Sequence, residues 1–493
     1  MSGPRTRHLA DPARRAAYDV LRAVAQRDAY ANLLLPAVLA ARGLAGRDAA
    51  LATELTYGTL RGQGSYDAVV DVCSDRPVER IDPALRDVLR LGTHQLLATR
   101  IPAHAAVAAS VDLAKNVTKT RPANFVNAML RKMATRELDA WLEIVAPGRA
   151  GDPAGNLAVR YSHPRWMVEA MAAALGEEPG GELTETEALL AADNARPAVT
   201  LLAKPGQVAP GELAGSGATP ALWSPYGAYL KEGNPADVPA VSDGRAAVQD
   251  EASQLAAVAI ASAPLTGADR LWLDMCAGPG GKASLLAGLA AARGARLLAA
   301  DMQPHRAALT RSAMAPRPAG GAWRPGGGTG RPVGGTGRPA GGTWRVVVAD
   351  GTAAPWRPGT FDRVLADVPC SGLGALRRRP EARWRRTPRD VAALGPLQRR
   401  LLMAALAALR PGGVAAYVTC SPHLAETRDV VADVMAHCAG VSVLDAPKVL
   451  AEVPELSGPG LRRPPGGFAQ FWPHRHGTDA IFVALLRRDR LAD

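Results

Sequence analysis

The 493-residue chain predicts a multidomain protein: an all-helical N-terminal domain, a small α/β connector, and a larger α/β domain with a parallel sheet. Three observations carry that prediction. The chain is too long for one ordinary core. Apolar residues recur at helical spacing through the first 140 positions. From about residue 246, short apolar runs alternate with helical stretches, the pattern of strand–helix–strand units.

Residues 1–12 read as a loose basic tail, and 13–140 as the helical domain. Ala17, Val20, Leu21 and Val24 fall at i, i+3, i+4, i+7 on one helix face. Asp82 followed by Pro83 is an N-cap with proline at the first helical position, opening a helix with Leu85, Val88 and Leu89 on its apolar face. Phe125, Met129 and Met133 continue the pattern. Residues 141–245 read as the connector, with helices at 165–175 and near 184–193 and a strand at 198–203. In the domain over 246–493, strands are expected at 271–275, 296–300, 345–349, 361–366 and 414–419. Helices are expected at 282–293, 303–313 and 389–409, covering both faces of the sheet. Residues 316–344 carry GGTGRPV, GGTGRPA and GGTWR. Such Gly/Pro/Arg sequence buries no core and predicts a disordered surface insertion.

The net charge of +12 favours polyanionic partners, although arginine-rich coding alone can produce it. The five cysteines (Cys73, Cys276, Cys370, Cys420, Cys438) are odd in number, widely spaced and without a CxxC pair. That argues against a disulfide framework or a zinc site and for a reducing compartment. No signal-peptide core and no run of ~18–20 apolar residues is present, so the expectation is a cytoplasmic protein, without metal or membrane partner, working as a monomer.

The chemistry concentrates in three motifs. In LDMCAGPGGKASLL (273–286) a strand ends at Asp274, a turn with Gly278, Gly280 and Gly281 follows, and a helix begins near Lys282. Glycines there bring backbone amides at a helix start to a ligand; the spacing is not that of a dinucleotide fingerprint. Asp301 closes the second strand, suited to a ribose hydroxyl pair, and Asp350 the third, suited to an adenine amino group. Any one such acid is often only a helix cap; three at one sheet edge describe a nucleoside site. Asp367, Pro369 and Cys370 in LADVPCSG, and Cys420 in YVTCSPH, reach the same edge. A cysteine at a strand end is ordinarily core filling, but two beside a cofactor pocket point to reactivity.

These motifs, with VQDEASQ (248–254), DMCAGPGGK (274–282), ADG (349–351), DVPCSG (367–372), RRRPEARWRR (377–386), TCS (419–421) and FWPHRHGTDAIFVALL (471–486), resemble the Fmu/RsmB (Sun) family of RNA 5-methylcytosine methyltransferases, nearest to its small-subunit ribosomal RNA enzymes. The N-terminal region resembles NusB-type RNA-binding domains, and together the resemblances span nearly the whole chain. They imply a Rossmann-like class I methyltransferase domain using S-adenosylmethionine. The implied substrate is RNA, most specifically small-subunit (16S) rRNA, methylated at carbon 5 of a cytosine through a covalent cysteine–cytosine intermediate. They further imply Cys420 as nucleophile, Cys370 as the group assisting release and Asp367 at ring N3. Cofactor contacts fall to Cys276, Ala277, Gly278, Pro279, Gly280, Gly281 and Lys282 on the methionine side, Asp301 at the ribose, Asp350 at the adenine, and Asp367. The residues alone do not rank the two thiols, since a Pro-Cys segment carries the nucleophile in DNA cytosine methyltransferases. Departures from the family pattern are Gly278 and Ala283 in place of alanine and threonine, and PHLAET after TCS in place of a PEEN-like run. Seven arginines among residues 377–389 (Arg377, Arg378, Arg379, Arg383, Arg385, Arg386, Arg389) are expected to meet RNA phosphates. The competing expectation is a non-catalytic RNA-binding ribosome-assembly factor.

Overall fold

A computed structural model describes residues 11–118, 122–315, 343–453, 456 and 466–489. Most of the tail at 1–12 and of the repeat at 316–344 lies outside them. The described residues divide into two compact units. One runs to Arg196 and also takes in Leu376–Arg385; the other holds the remainder. Of the stretch read as a connector, the helices Arg165–Leu175 and Thr184–Asn194 fall in the first unit and the strands in the second.

The first unit is helical throughout, from Pro12–Arg27 to Thr184–Asn194. Ala17, Val20, Leu21 and Val24 enter its core with Leu55, Leu89, Leu113 and Leu130. Asp82 caps the helix Pro83–Ala98, accepting from the amides of Ala84 at 2.8 Å and Leu85 at 3.3 Å. That satisfies donors that have no intrahelical partner. Arg90 in the same helix forks onto Asp67 at 2.7 and 2.6 Å. Among the described residues, no helix is long and apolar enough to cross a membrane.

The second unit holds two sheets. Its strands are β1 (Val199–Ala203), β2 (Ala218–Pro220), β3 (Gly227–Leu230), β4 (Ala246–Val248), β5 (Leu271–Asp274), β6 (Arg296–Asp301), β7 (Trp344–Val348), β8 (Phe361–Asp367), β9 (Leu409–Thr419), β10 (Val441–Leu444), β11 (Ala469–Gln470) and β12 (Phe482–Arg488). The first four form an antiparallel sheet, of which only β1 was expected. The main sheet runs β10-β12-β9-β8-β5-β6-β7, with β11 beside β12.

All five expected strands pair in parallel, β9-β8-β5-β6-β7. The sheet is nonetheless mixed, because β12 lies antiparallel between β9 and β10. Before β12 there is only the four-residue helix Pro473–His476, too short to give the alternation used for the parallel strands. Along β9, Val414, Ala416 and Val418 face one core and Ala415 and Tyr417 the other. Helices Glu251–Ser262 and Gly281–Ala292 pack on the first side, Pro388–Ala408 and Arg428–His437 on the second. Covering both faces explains why these strands read as nearly unbroken apolar runs. It also leaves the carboxyl edge of the sheet as the place where polar loops gather.

Candidate active site

The turn after β5 is set by backbone bonds to its neighbours. Met275 N–H donates to Leu365 O at 2.9 Å and Ala277 N–H to Ala300 O at 2.9 Å. Gly280 has φ +109°, a backbone that side chains rarely adopt, and a Cβ there would sit 2.7 Å from Ala313 Cβ. It starts the helix Gly281–Ala292 without any side-chain cap. The first-turn amides of that helix therefore remain available to an anion such as a carboxylate.

Asp301 closes β6 as expected. Its Oδ2 accepts from Gly278 N–H at 3.0 Å and Arg306 Nε at 3.1 Å, and its Oδ1 from Gln303 N–H at 2.9 Å. Arg306 also reaches the Gly278 carbonyl. Asp350 lies two residues beyond β7, exposed, and caps the turn Gly351–Ala353 through Oδ1, held by the amide and hydroxyl of Thr352 at 2.8 Å each. The Thr352 hydroxyl and then its amide hold Asp350 below the usual carboxylate range. An uncapped helix start, a turn that excludes Cβ atoms and acids closing successive strands suit the carboxylate, ribose and adenine of S-adenosylmethionine.

Asp274, noted above only as a strand end, is fully buried. Apart from a weak approach by the Cys276 amide, neither of its oxygens has a hydrogen-bond partner. Burial first, then the charge of Asp367, pushes its carboxyl up to about 8. Burial likewise raises the Cys276 thiol, with Asp274, Asp367 and Asp301 adding to it, which disfavours its thiolate. Lys282 donates to Asp367 Oδ2 at 2.9 Å. Burial disfavours its ammonium, but Asp367, Cys420 and Asp274 overcome that and hold it above the ordinary lysine value.

β8 and β9 are neighbours in register, Asp367 opposite Val418, so the loops carrying Cys370 and Cys420 leave the sheet side by side. The two sulfurs are 3.1 Å apart. Contact with Cys420 first, then burial, raises the Cys370 thiol well above the usual cysteine range. Gly374 N–H donates to Cys420 O at 2.9 Å, and a Cβ on Gly374 would land on the Ala480 carbonyl. The structure thus gathers Lys282, Asp367, Cys370 and Cys420 into one cluster. Sequence reasoning missed Arg306, Gln398 and Glu426 around it; no spacing or composition signal marks them.

The expectation for the arginine run is corrected at Arg377, Arg383 and Arg385. Arg377 and Arg383 are buried in the helical unit. Arg383 donates to the carbonyls of Arg61 (3.1 Å), Ser162 (3.3 Å) and Asp193 (3.0 Å) and to Asn194 Oδ1 (2.7 Å). Arg385 binds the carbonyls of Val24, Asp28 and Ala29 where helix Pro12–Arg27 ends, while Glu381 accepts from Ala31 N–H at the start of the next helix. Charges of these signs suit those helix ends. Guanidiniums spent on backbone carbonyls are not phosphate contacts; of the seven, Arg379 and Arg389 are exposed.

The fold and this cluster define a class I S-adenosylmethionine-dependent methyltransferase preceded by a NusB-like helical domain. Residues 263–315 and 340–487 match the family model "16S rRNA methyltransferase RsmB/F", and residues 11–135 match the NusB family. A Mycobacterium tuberculosis protein named "Putative methyltransferase Rv1407" is 50% identical over 99% of this chain and 98% of its own. "Ribosomal RNA small subunit methyltransferase B" of Pseudomonas putida is 32% identical over 96% of this chain and 98% of its own. The solved structure of PH0851 is similar with TM-score 0.72 and 21% identity, covering 99% of each chain, which bears on the fold alone. The chain belongs to the RsmB/F family of rRNA methyltransferases, and its cofactor is S-adenosylmethionine.

Proposed function

We propose that the protein methylates carbon 5 of a cytosine in 16S rRNA through a transient bond between Cys420 and the base. The observation that carries this reading is the pair of sulfurs 3.1 Å apart beside the Lys282–Asp367 ion pair. Carbon 5 of cytosine is a weak nucleophile. Addition of the Cys420 thiolate at carbon 6 makes carbon 5 enamine-like. The Lys282 ammonium, which faces Cys420, favours that thiolate. Asp367 meets ring N3, and a proton shared with Lys282 there assists the addition. Residues 276–282, Asp301 and Asp350 would hold S-adenosylmethionine, which would supply the electrophilic methyl group for carbon 5. Cys370, kept as a thiol by its surroundings, passes its proton to the departing Cys420 sulfur and takes up the carbon 5 proton in exchange, while N3 returns its proton to the Lys282–Asp367 pair. The base must be unstacked to reach the sulfurs, so the target lies in a loop or single-stranded site.

The test incubates the protein with labelled S-adenosylmethionine and unmodified 16S rRNA, free and in partial ribosomal particles. The expected product is 5-methylcytosine at one site. Cys370→Ala accumulates a protein–RNA adduct; Cys420→Ala gives neither adduct nor product. An adduct in Cys420→Ala instead reverses the two roles. No transfer to any cytosine overturns the enzymatic reading in favour of an RNA-binding assembly factor.

A further inference from the structure

Glu426 lies in the loop after Cys420 and is completely buried. Its Oε1 accepts from Ser371 N–H at 2.8 Å and Gln398 Nε2 at 3.1 Å, and its Oε2 from the Ser371 hydroxyl. Gln398 Nε2 also donates to Pro369 O at 2.9 Å. The hydroxyls of Ser371 and Ser421 are 3.2 Å apart. Tyr417 donates its hydroxyl to the Glu426 carbonyl at 2.8 Å, fixing the loop that bears the carboxylate. Pro369 and Ser371 flank Cys370, and Ser421 follows Cys420, so one carboxylate and its amide partner grip both reactive loops.

Burying a carboxylate costs several kcal/mol unless its lone pairs are filled. Here a backbone amide, a hydroxyl and a side-chain amide fill them, as charge-assisted bonds that are stronger than neutral ones. The reaction derived above gives this charge no part. We propose that Glu426 is the positioning residue that clamps the Cys370 loop to the Cys420 loop and, through its buried negative charge, assigns the two sulfurs different tasks. A fixed anion disfavours a second anion close to it. After Cys420 and burial, Glu426 is among the groups that raise the Cys370 thiol. Its charge therefore helps to keep Cys370 as a proton carrier while Cys420 attacks. Glutamine keeps the shape of the side chain and removes only its charge, since the Ser371 hydroxyl can turn toward Ser421 and accept from the amide nitrogen.

The inference rests on both cysteines serving methyl transfer, so one readout is independent of turnover. In a Cys420→Ala background, alkylation of Cys370 by iodoacetamide is followed by peptide mass spectrometry from about pH 6 to about pH 10. Glu426→Gln is expected to lower the alkylation midpoint by about one pH unit, and Glu426→Asp to leave it nearly unchanged. In the otherwise native chain, Glu426→Gln is expected to lower kcat by about tenfold or more, with KM for S-adenosylmethionine within about twofold. An unchanged midpoint, or native kcat, overturns the proposal. If Glu426→Gln does not fold, Gln398→Ala and Ser371→Ala probe the same clamp, and each should lower kcat several-fold at constant KM; native kcat in both overturns it. A wild type that methylates nothing sinks the function above, while the alkylation midpoint still decides the effect of the charge.

Discussion

Gly278 and Arg306 compete for one space: a Cβ on residue 278 would stand 2.7 Å from Arg306 Cβ, 2.8 Å from its Nε and 2.5 Å from Asp301 Oδ2. Where the family carries alanine, this chain carries glycine and seats an arginine against Asp301. Gly278→Ala is expected to weaken S-adenosylmethionine binding by about tenfold, through a displaced Asp301. Gly278→Ala combined with Arg306→Gly, which removes the Cβ as well as the guanidinium, should recover part of it. Calorimetric titration decides; a double variant as weak as the single one removes Arg306 from the explanation.

The glycine beneath Cys420 predicts a different failure. At residue 374 the obstructing atoms are the backbone of Ala480 and the Cys420 carbonyl, which cannot rotate away. Gly374→Ala should lower stability by about 2–3 kcal/mol and methylation about a hundredfold, because the backbone of Cys420 must move. Thermal melting and single-turnover methylation measure the two effects.

Asp274 gives a pH signature. Its carboxyl titrates near 8 in the fold against 3.8 for the ordinary group. Below about pH 4 both folded and unfolded chains hold this proton, and the group does not affect stability. As pH rises toward 8 only the unfolded chain has released it, so stability falls, then levels beyond the folded value. Asp274→Asn removes that loss. Urea denaturation should show a gain on the order of 2–4 kcal/mol larger at pH 8 than at pH 5. Equal gains at both would mean that the carboxyl titrates normally.

The arginines after the Cys370 loop should separate into two behaviours. Burial pulls Arg383 down to about 10, and four oxygens depend on it. Arg383→Ala should destabilise the chain by about 3–5 kcal/mol while leaving the salt dependence of RNA binding unchanged. Combined Arg379→Ala and Arg389→Ala should do the reverse, keeping Tm and flattening the slope of log Kd against log salt.

What was legible follows from which contacts are local. The Asp82 cap, the face with Val20 and Val24, and the acids closing β5 and β6 declare themselves within a few residues or by period. The cysteine pair became visible because each sulfur ends a recognisable apolar strand. Glu426 binds Ser371 across 55 residues and Gln398 across 28, and no spacing announces such a meeting. Arg383 misled for a related reason. A guanidinium aimed at carbonyls of Arg61, Ser162 and Asp193 has the same one-letter appearance as one waiting for a phosphate. β12 escaped because only the four-residue helix Pro473–His476 precedes it, too short to show a helical period.

The pairing of β8 with β9 also makes the two sulfurs geometrically equivalent: both leave adjacent parallel strands of one sheet and meet at 3.1 Å. Either sulfur can thus be offered to the same base from an unchanged pair of strands.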